Sequence, residues 1–209
     1  ETALNKTMGY QATGVENNRS NRFMDLIAQY DKLSYEDFKT IKYDETYPDE
    51  MTQPNLVNLE LLMDLDASKY PDIKDAIEIL QKWNRSTAVD NKQAALFMIT
   101  IGHLVKAERK AHRFKRGNRI SEQNCVTAIS KAKAEMLKNY GSMEVPLGNI
   151  QRHIRADVSL PIGGGPDVLR AMYSKRQKDG TYKGFAGESH IELVRFGPDG
   201  VELETVNTY

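Results

Sequence analysis

The chain has 209 residues, of which 40% are hydrophobic, and it carries 29 basic and 29 acidic side chains. This length and composition allow one hydrophobic core of ordinary size, with room for a small second lobe. A net charge of zero argues against a general nucleic-acid binder and against polybasic attachment to a membrane. No apolar run reaches the roughly 18 residues of a membrane-spanning helix, and the single cysteine, Cys125, excludes an internal disulfide.

Residues 1–15 lack any period and contain several turn formers, so they predict an extended lead-in. A first helix is predicted to begin after Asn17 or Asn18, since either side chain can accept a hydrogen bond from an orphan backbone N–H. Its apolar stripe follows the spacing i, i+3, i+4 and i+7, formed by Phe23, Leu26, Ile27 and Tyr30.

Arg19 lies in the first turn of this helix, four residues before Phe23. The positive end of the helix dipole disfavours an exposed cation there by about 0.3–1 kcal/mol. Two interpretations stay open at this stage. The side chain either extends its charged head into water, or it is held by a nearby carboxylate, carbonyl or polar active-site group.

Apolar residues at helical spacing predict further helices up to Gly141, where a glycine stops the last one. Ser34 and Asp37 approximate a capping box for the second helix, whose apolar face holds Phe38 and Ile41. The remaining predicted helices are one within 54–65 (Leu56, Leu59, Leu62, Met63), one from Pro71 to Trp83, one capped by Asp90 or Asn91, and one starting at Ser121 with Val126, Ile129, Ala132, Met136 and Leu137 inward.

After Gly141 the residues alternate, and glycine and proline become frequent, which indicates strands and turns. Residues 166–174 are the exception and predict a short helix, with Pro166 and Asp167 in its first turn. His190–Phe196 and Val201–Tyr209 predict a hairpin around Gly-Pro-Asp-Gly. The sequence therefore predicts an α+β fold, with an α-helical lobe over 16–141 and a β-rich segment over 142–209.

Four stretches carry a further signal, and they follow one another in a fixed order. Glu16–Phe38 reads ENNRSNRFMDLIAQYDKLSYEDF, and Leu80–Phe97 reads LQKWNRSTAVDNKQAALF. Leu147–Tyr173 reads LGNIQRHIRADVSLPIGGGPDVLRAMY, and Lys183–Tyr209 reads KGFAGESHIELVRFGPDGVELETVNTY. In sequence and order they resemble the penicillin acylase family of N-terminal-nucleophile hydrolases, which includes penicillin, cephalosporin and acyl-homoserine-lactone acylases.

The resemblance implies an amidohydrolase that cleaves the linear amide of N-acylated compounds, such as β-lactam antibiotics or acyl-homoserine lactones. Antibiotic metabolism or quorum quenching would then be its role. In the family, the hydroxyl of an N-terminal residue attacks the amide carbonyl, and an asparagine helps to bind the oxyanion. Because the chain starts with Glu1, we expect it to be the C-terminal part of the large chain, inactive alone. Arg19 resembles the arginine beside that asparagine, and it is the one catalytic residue implied.

The resemblance also implies that the β-rich segment joins an αββα sandwich in the intact protein, which is exported to the periplasm or secreted. The expected partners are a small N-acylated substrate and the remaining acylase chain or chains, with no nucleic acid and no membrane. No cofactor is expected in these residues, and calcium binding is left open for the rest of such a protein.

Two other functions are alternatives to the acylase. One is a non-enzymatic binding or interaction domain that reuses the helical lobe. The other is a nucleic-acid module built on the basic run Lys106–Arg116, but a solvated helix end explains that run better because Phe114 alone makes no aromatic platform.

Several short motifs fail on their spacing. Gly163–Gly165 lacks the Gly-Lys-Ser/Thr ending of a phosphate loop. Asp64, Asp66 and Ser68 begin like a calcium loop, but a lysine stands where that loop needs glycine. The four histidines, at 103, 112, 153 and 190, share no metal-binding spacing, and Ser189 lacks the final glycine of a nucleophile elbow.

Overall fold

A computed structural model of the chain describes residues 17–52, 56–115, 117–188 and 190–207, and it has the predicted α+β class. Seven helices of at least four residues lie within these ranges: α1 (Asn18–Ile27), α2 (Tyr35–Lys42), α3 (Leu61–Asp64), α4 (Lys74–Gln81), α5 (Ala94–Lys110), α6 (Glu122–Tyr140) and α7 (Leu147–Ile150). The strands are β1 (Leu56–Val57), β2 (Asn118–Arg119), β3 (Gln151–Arg155), β4 (Val158–Pro161), β5 (Met172–Arg176), β6 (Tyr182–Gly187), β7 (His190–Gly197) and β8 (Gly200–Asn207).

Local capping signals set the ends of most of the longer helices. Asn17 accepts a hydrogen bond from the backbone N–H of Ser20, and Ser34 forms a full capping box with Asp37. Ser121 caps α6, which ends at Gly141 in the left-handed conformation. The predicted cap at Asn91 is present, but it lies two residues before Gln93, the residue that precedes α5. The Asn91 side-chain oxygen accepts hydrogen bonds from the backbone N–H groups of residues 93 and 94.

The hydrophobic core lies among α4, α5 and α6. Its aromatic centre is formed by Tyr47, Trp83 and Phe97, where the rings of Trp83 and Phe97 have their centroids 4.1 Å apart. Phe97 and Trp83 come from the predicted inward faces of their helices. Tyr47 comes from the connection after α2, so this connection is fixed to the core by an aromatic side chain.

Strands β3 to β6 form one four-stranded sheet in the order β4-β3-β6-β5, in which β3 and β6 are parallel and the other pairs are antiparallel. Strands β7 and β8 form the predicted hairpin. One face of β7 buries Ile191 and Leu193, and β8 is tied to α2 by the ion pair between Lys39 and Glu204, 2.6 Å long.

The opposite face of this hairpin is apolar and exposed. Phe196 is 79% exposed, and Val194, Val201 and Leu203 lie on the same side. The alternation expected after Gly141 is present along β8. The acidic side chains of the strand lie on the face that turns toward α2, since Lys39 compensates the charge of Glu204 there.

The predicted helix over 166–174 is wrong. Asp167 has a positive φ of 63°, which a right-handed helix cannot accommodate, and β5 begins at Met172. The carbonyl of Pro166 accepts a hydrogen bond from the Tyr47 hydroxyl at 2.7 Å instead of one from the next helical turn. A buried partner distant in sequence therefore fixes these residues as a turn.

Other predictions need smaller corrections. Leu56 belongs to strand β1 and not to a helix, because it pairs with Asn118. Phe38 and Leu137 were predicted to face inward, but they are 42% and 45% exposed. The lead-in over 1–15 and the last two residues of the predicted hairpin, Thr208 and Tyr209, lie outside the described residues. Within the described ranges, every helix is too short or too polar to cross a membrane.

Candidate active site

The first turn of α1 is attached to the connection after α2 through a buried asparagine. The Asn18 side chain is fully buried, its oxygen accepts from the backbone N–H of Thr52 at 2.6 Å, and its nitrogen donates to the Thr52 carbonyl at 2.6 Å. Both polar atoms of the amide are therefore satisfied, so burial of this side chain carries no desolvation penalty for unpaired groups. Sequence reasoning treated Asn18 only as a possible cap and gave it no other role.

Arg19 is held by a carboxylate. Its Nε donates to Asp167 Oδ1 at 3.1 Å, and the backbone N–H of Asn18 donates to the second oxygen, Oδ2, at 3.2 Å. The Asp167 side chain is 6% exposed, whereas that of Arg19 is 49% exposed. A carboxylate at the start of the helix interacts favourably with the helix dipole, and it offsets the unfavourable energy of the cation in the first turn. The second of the two interpretations of Arg19 therefore describes its position.

Asp167 titrates in an unusual environment. Burial raises its pKa above the ordinary value, and the charge of Arg19 and the Asn18 N–H only partly oppose that effect. Tyr173 lies beside it, and burial, followed by the charge of Asp167, raises the pKa of the Tyr173 phenol. This hydroxyl therefore keeps its proton at neutral pH next to the ion pair.

The loop that carries Asp167 is fixed from several sides. The side-chain nitrogen Nε2 of Gln151 donates a hydrogen bond to the backbone carbonyl of Gly164 at 3.0 Å. Gly164 has a positive φ of 86°, and a side chain at Gly163 would collide with the carboxylate of Glu45. The glycine run thus packs closely against its neighbours. Its carbonyls meet a hydrogen-bond donor, which is opposite to the arrangement of a phosphate loop.

Arg22, one turn along α1, has a different partner. Its Nε and Nη2 donate to the two oxygens of Asp44 at 3.0 and 2.8 Å, and this hydrogen bonding raises the pKa of Arg22. Asp44 also accepts from the backbone N–H of Thr46. Nε and Nη2 of Arg22 both bind Asp44, and this bidentate contact fixes α1 to the chain that follows α2.

Arg19 differs because its contact leaves donors free. Asp167 takes the Nε hydrogen, and no described residue accepts a hydrogen bond from the two terminal nitrogens. An arginine side chain stays protonated at neutral pH and has no acceptor atom, so it cannot serve as a general base. It can bind a carbonyl or carboxylate oxygen, or stabilise a negative charge that develops in a reaction.

The other candidate groups have structural partners. His103 Nε2 lies 2.9 Å from Glu135 Oε2, and Asp66 accepts from Ser68 in a short turn. Cys125 is buried, and burial raises the pKa of its thiol to about 12, so it is no nucleophile. Ser189 lies outside the described residues. Within the described ranges, no group of His, Cys, Asp or Glu side chains is arranged to hold a metal ion.

Sequence reasoning identified Arg19 but missed Asp167, which lies 148 residues further along the chain. One local signal was present, since Gly-Gly-Gly-Pro-Asp is a dense run of turn formers. Read as a turn, it would have placed an acidic side chain at a fixed backbone position without naming its partner.

Comparison with known proteins gives one family. The sequence pattern of the family described as Penicillin amidase matches residues 3–209. A comparison with curated proteins gives no match. The family match includes α1, the loop that carries Asp167 and every strand described above.

Proposed function

Since this chain belongs to the penicillin amidase family, we propose that it is part of an acylase that hydrolyses the amide bond of small N-acylated compounds. The proposed substrates are β-lactam antibiotics with an acylated side chain or acyl-homoserine lactones. The observation that carries this proposal is the half-exposed guanidinium of Arg19, which a buried carboxylate orients and whose terminal nitrogens meet no hydrogen-bond acceptor among the described residues.

The chemistry requires a group that stabilises the negative charge that develops on the substrate oxygen. In the proposed reaction, a hydroxyl attacks the amide carbonyl and its proton passes to an amine, directly or through water. The carbonyl oxygen becomes negative in the tetrahedral intermediate. The protonated catalytic amine then gives its proton to the leaving nitrogen, and the intermediate collapses to an acyl-enzyme and a free amine. Water then releases the acid. We propose that Arg19 supplies positive charge and hydrogen-bond donors on this side of the reaction, or at the polar end of the substrate.

Asp167 would act as a positioning residue for Arg19. Because the guanidinium is planar, a contact through Nε fixes the direction of its end edge, where one N–H of each terminal nitrogen points away from that contact. The buried position of Asp167 and the bond from the Asn18 N–H hold the carboxylate in place. An unpaired arginine would lose rotamer entropy on binding substrate, whereas this one is partly ordered beforehand.

We further propose that the chain works together with additional acylase polypeptide that supplies the nucleophile and the oxyanion asparagine. The support is the apolar surface that the described residues leave open on their strands. Besides the hairpin face, Val158 is 50% exposed and Leu160 is 55% exposed, both on β4. Surfaces of this kind usually pack against protein. Export to the periplasm or secretion is proposed from the resemblance, and cell fractionation would test it.

The experiment compares Arg19→Ala with Arg22→Ala in the complete, processed acylase. We expect Arg19→Ala to lower turnover of an N-acylated substrate by roughly 10–1,000-fold, the effect of losing one charge-assisted contact near a developing oxyanion. Arg22→Ala removes a cation from the same helix, but one that already binds Asp44, so its activity should stay close to wild type. Processing is measured separately by mass spectrometry.

Equal turnover of the two correctly processed variants would remove the assignment of Arg19. Loss of turnover in both, accompanied by loss of helical circular dichroism, would show instead that α1 has detached. Arg19→Lys distinguishes charge from geometry, because lysine keeps the charge but lacks the planar fork that Asp167 orients.

A further inference from the structure

A second candidate site lies between helix α5 and the face of strands β5 and β6. A cavity of about 440 Å³ opens there, lined mainly by apolar and aromatic side chains, including Met98, Val105, Phe114, Tyr173, Tyr182 and Phe185. Its volume lies in the range of about 300–1,000 Å³ that is typical of small-molecule sites. Four aromatic rings in the lining provide large flat surfaces for a planar ligand.

The lining carries charge of one sign. Among the described residues that line it, Arg109 is the ionised side chain, and none of them carries a carboxylate. The neighbouring acid, Glu108, is buried and bound by Arg113 at 3.0 Å, so it does not neutralise Arg109. The guanidinium of Arg109 lies 4.7 Å from the centroid of the Phe114 ring, at the cavity wall. A cation beside an aromatic wall favours an anion that carries an aromatic group.

Two polar groups of the remaining wall already have hydrogen-bond partners. The Tyr182 hydroxyl donates to Glu135 at 2.8 Å, and the Ser174 hydroxyl donates to Gln151 at 2.9 Å. These residues therefore offer carbon surface to the cavity, while Arg109 offers the charge.

Helix α5 also leaves space on this side. Gly102 lines the cavity in the middle of the helix, and a Cβ added there would meet no atom within 4 Å. Glycine in a helix interior is unfavourable compared with alanine, so packing against a neighbour is not what requires it here. Its presence enlarges the cavity.

From these features we propose that the cavity between α5 and the β5–β6 face binds a small aromatic carboxylate, with the ring between the aromatic side chains and the carboxylate on Arg109. Tyr173 belongs to this lining and also lies beside Asp167, but the proposed contact of the carboxylate is with Arg109 on α5. This inference does not rest on amide hydrolysis, because binding alone tests it.

The test uses 2-naphthoate as the probe and 2-naphthalenemethanol as its neutral counterpart, with the full chain. We expect saturable binding of 2-naphthoate with a Kd of roughly 0.1–1 mM, a normal affinity for a ligand of this size. Arg109→Gln should weaken it about tenfold and leave the neutral probe unchanged. Lys110→Gln is the matched control, because it removes the same charge one residue along the helix, outside the cavity lining.

Location is tested by methyl NMR of the methionines and by filling the cavity. The Met98 methyl signal, assigned with Met98→Leu, should shift on addition of 2-naphthoate, while that of the exposed Met24 should stay. Gly102→Phe should abolish binding, and its folding is checked by circular dichroism. If this variant does not fold, Arg109→Gln and the Met98 signal still decide.

Three outcomes would overturn the proposal. They are no saturable binding up to about 5 mM, equal weakening by Arg109→Gln and Lys110→Gln, or binding that leaves the Met98 signal unmoved. Undiminished binding to a folded Gly102→Phe variant would be equally decisive against it.

Discussion

Removing the Arg19 side chain should reveal how strongly Asp167 depends on it. In the Arg19→Ala protein, Asp167 keeps one hydrogen bond, from the Asn18 N–H, but loses its cation. The appropriate comparison is a double-mutant cycle with Asp167→Asn, because asparagine has the same shape, carries no charge and tolerates the left-handed backbone at this position.

The size of the effect follows from the burial of the two partners. Breaking a fully buried ion pair costs about 3–5 kcal/mol, whereas an exposed pair contributes about 0–1 kcal/mol. Here Asp167 is buried and Arg19 is half exposed, so we expect a coupling of about 1–2 kcal/mol. Removing a cation from the helix start returns about 0.3–1 kcal/mol. Arg19→Ala should therefore lower the free energy of unfolding by about 1 kcal/mol in the wild-type background.

In the Asp167→Asn background the sign should reverse. Without the carboxylate, Arg19 has no charged partner there and remains beside the positive end of the helix dipole. Arg19→Ala should then be neutral or stabilise the protein by a few tenths of a kcal/mol. The two backgrounds thus separate the ion pair from the intrinsic cost of a cation in the first turn.

The pH dependence gives an independent check. The folded pKa of Asp167 is raised, so the folded state binds a proton more readily than the unfolded chain does. The resulting stabilisation is fully present below the unfolded pKa and is lost as pH rises through the folded pKa. Removing Arg19 takes away a charge that lowers this pKa. The loss of stability between about pH 4 and pH 7 should therefore be larger in Arg19→Ala than in wild type, and the part of it that is due to Asp167 should be missing from both Asp167→Asn variants.

Urea unfolding followed by helical circular dichroism measures all four proteins at both pH values. A coupling below about 0.3 kcal/mol at neutral pH would contradict the reasoning, since additive effects are expected only of residues that do not interact. If Arg19→Ala changes the free energy of unfolding equally in both backgrounds, the carboxylate of Asp167 contributes nothing to stability through Arg19.

Two further predictions concern helix α5 and the chain as a whole. Gly102→Ala should raise the free energy of unfolding by about 0.5–1 kcal/mol, because alanine restricts the unfolded chain and the structure has room for its Cβ; urea denaturation checks this, and destabilisation would show that the site is crowded. The 209-residue chain alone should not hydrolyse penicillins, cephalosporins or acyl-homoserine lactones, because we propose that the nucleophile belongs to the additional acylase polypeptide. Turnover that survives removal of contaminating acylases would contradict this.

Local signals explain which parts of the fold could be predicted from the sequence. Ser34 with Asp37, Ser121 and Gly141 act on backbone groups three or four residues away, so their effect is independent of the rest of the chain. The hairpin was predictable for the same reason, because its turn residues and alternating strands are adjacent in sequence.

Contacts distant in sequence explain the failures. The helix expected over 166–174 is absent because Tyr47, which lies 119 residues earlier, binds the Pro166 carbonyl. Likewise, Leu56 pairs with a strand more than 60 residues away, although its spacing suits a helix. The position of Arg19 could be singled out from its conflict with the helix dipole, but its partner could be found only once the chain was folded.

The hairpin has a consequence for how the chain behaves in solution. Strands β7 and β8 pair only with each other among the described residues, so each leaves one edge with unused backbone hydrogen-bonding groups. An open edge beside side chains such as Phe196 and Val201 is a template for strand addition by another molecule. Self-association through this edge is therefore expected to increase with protein concentration. A lysine in place of Phe196 would oppose it while leaving the buried face of β7 intact.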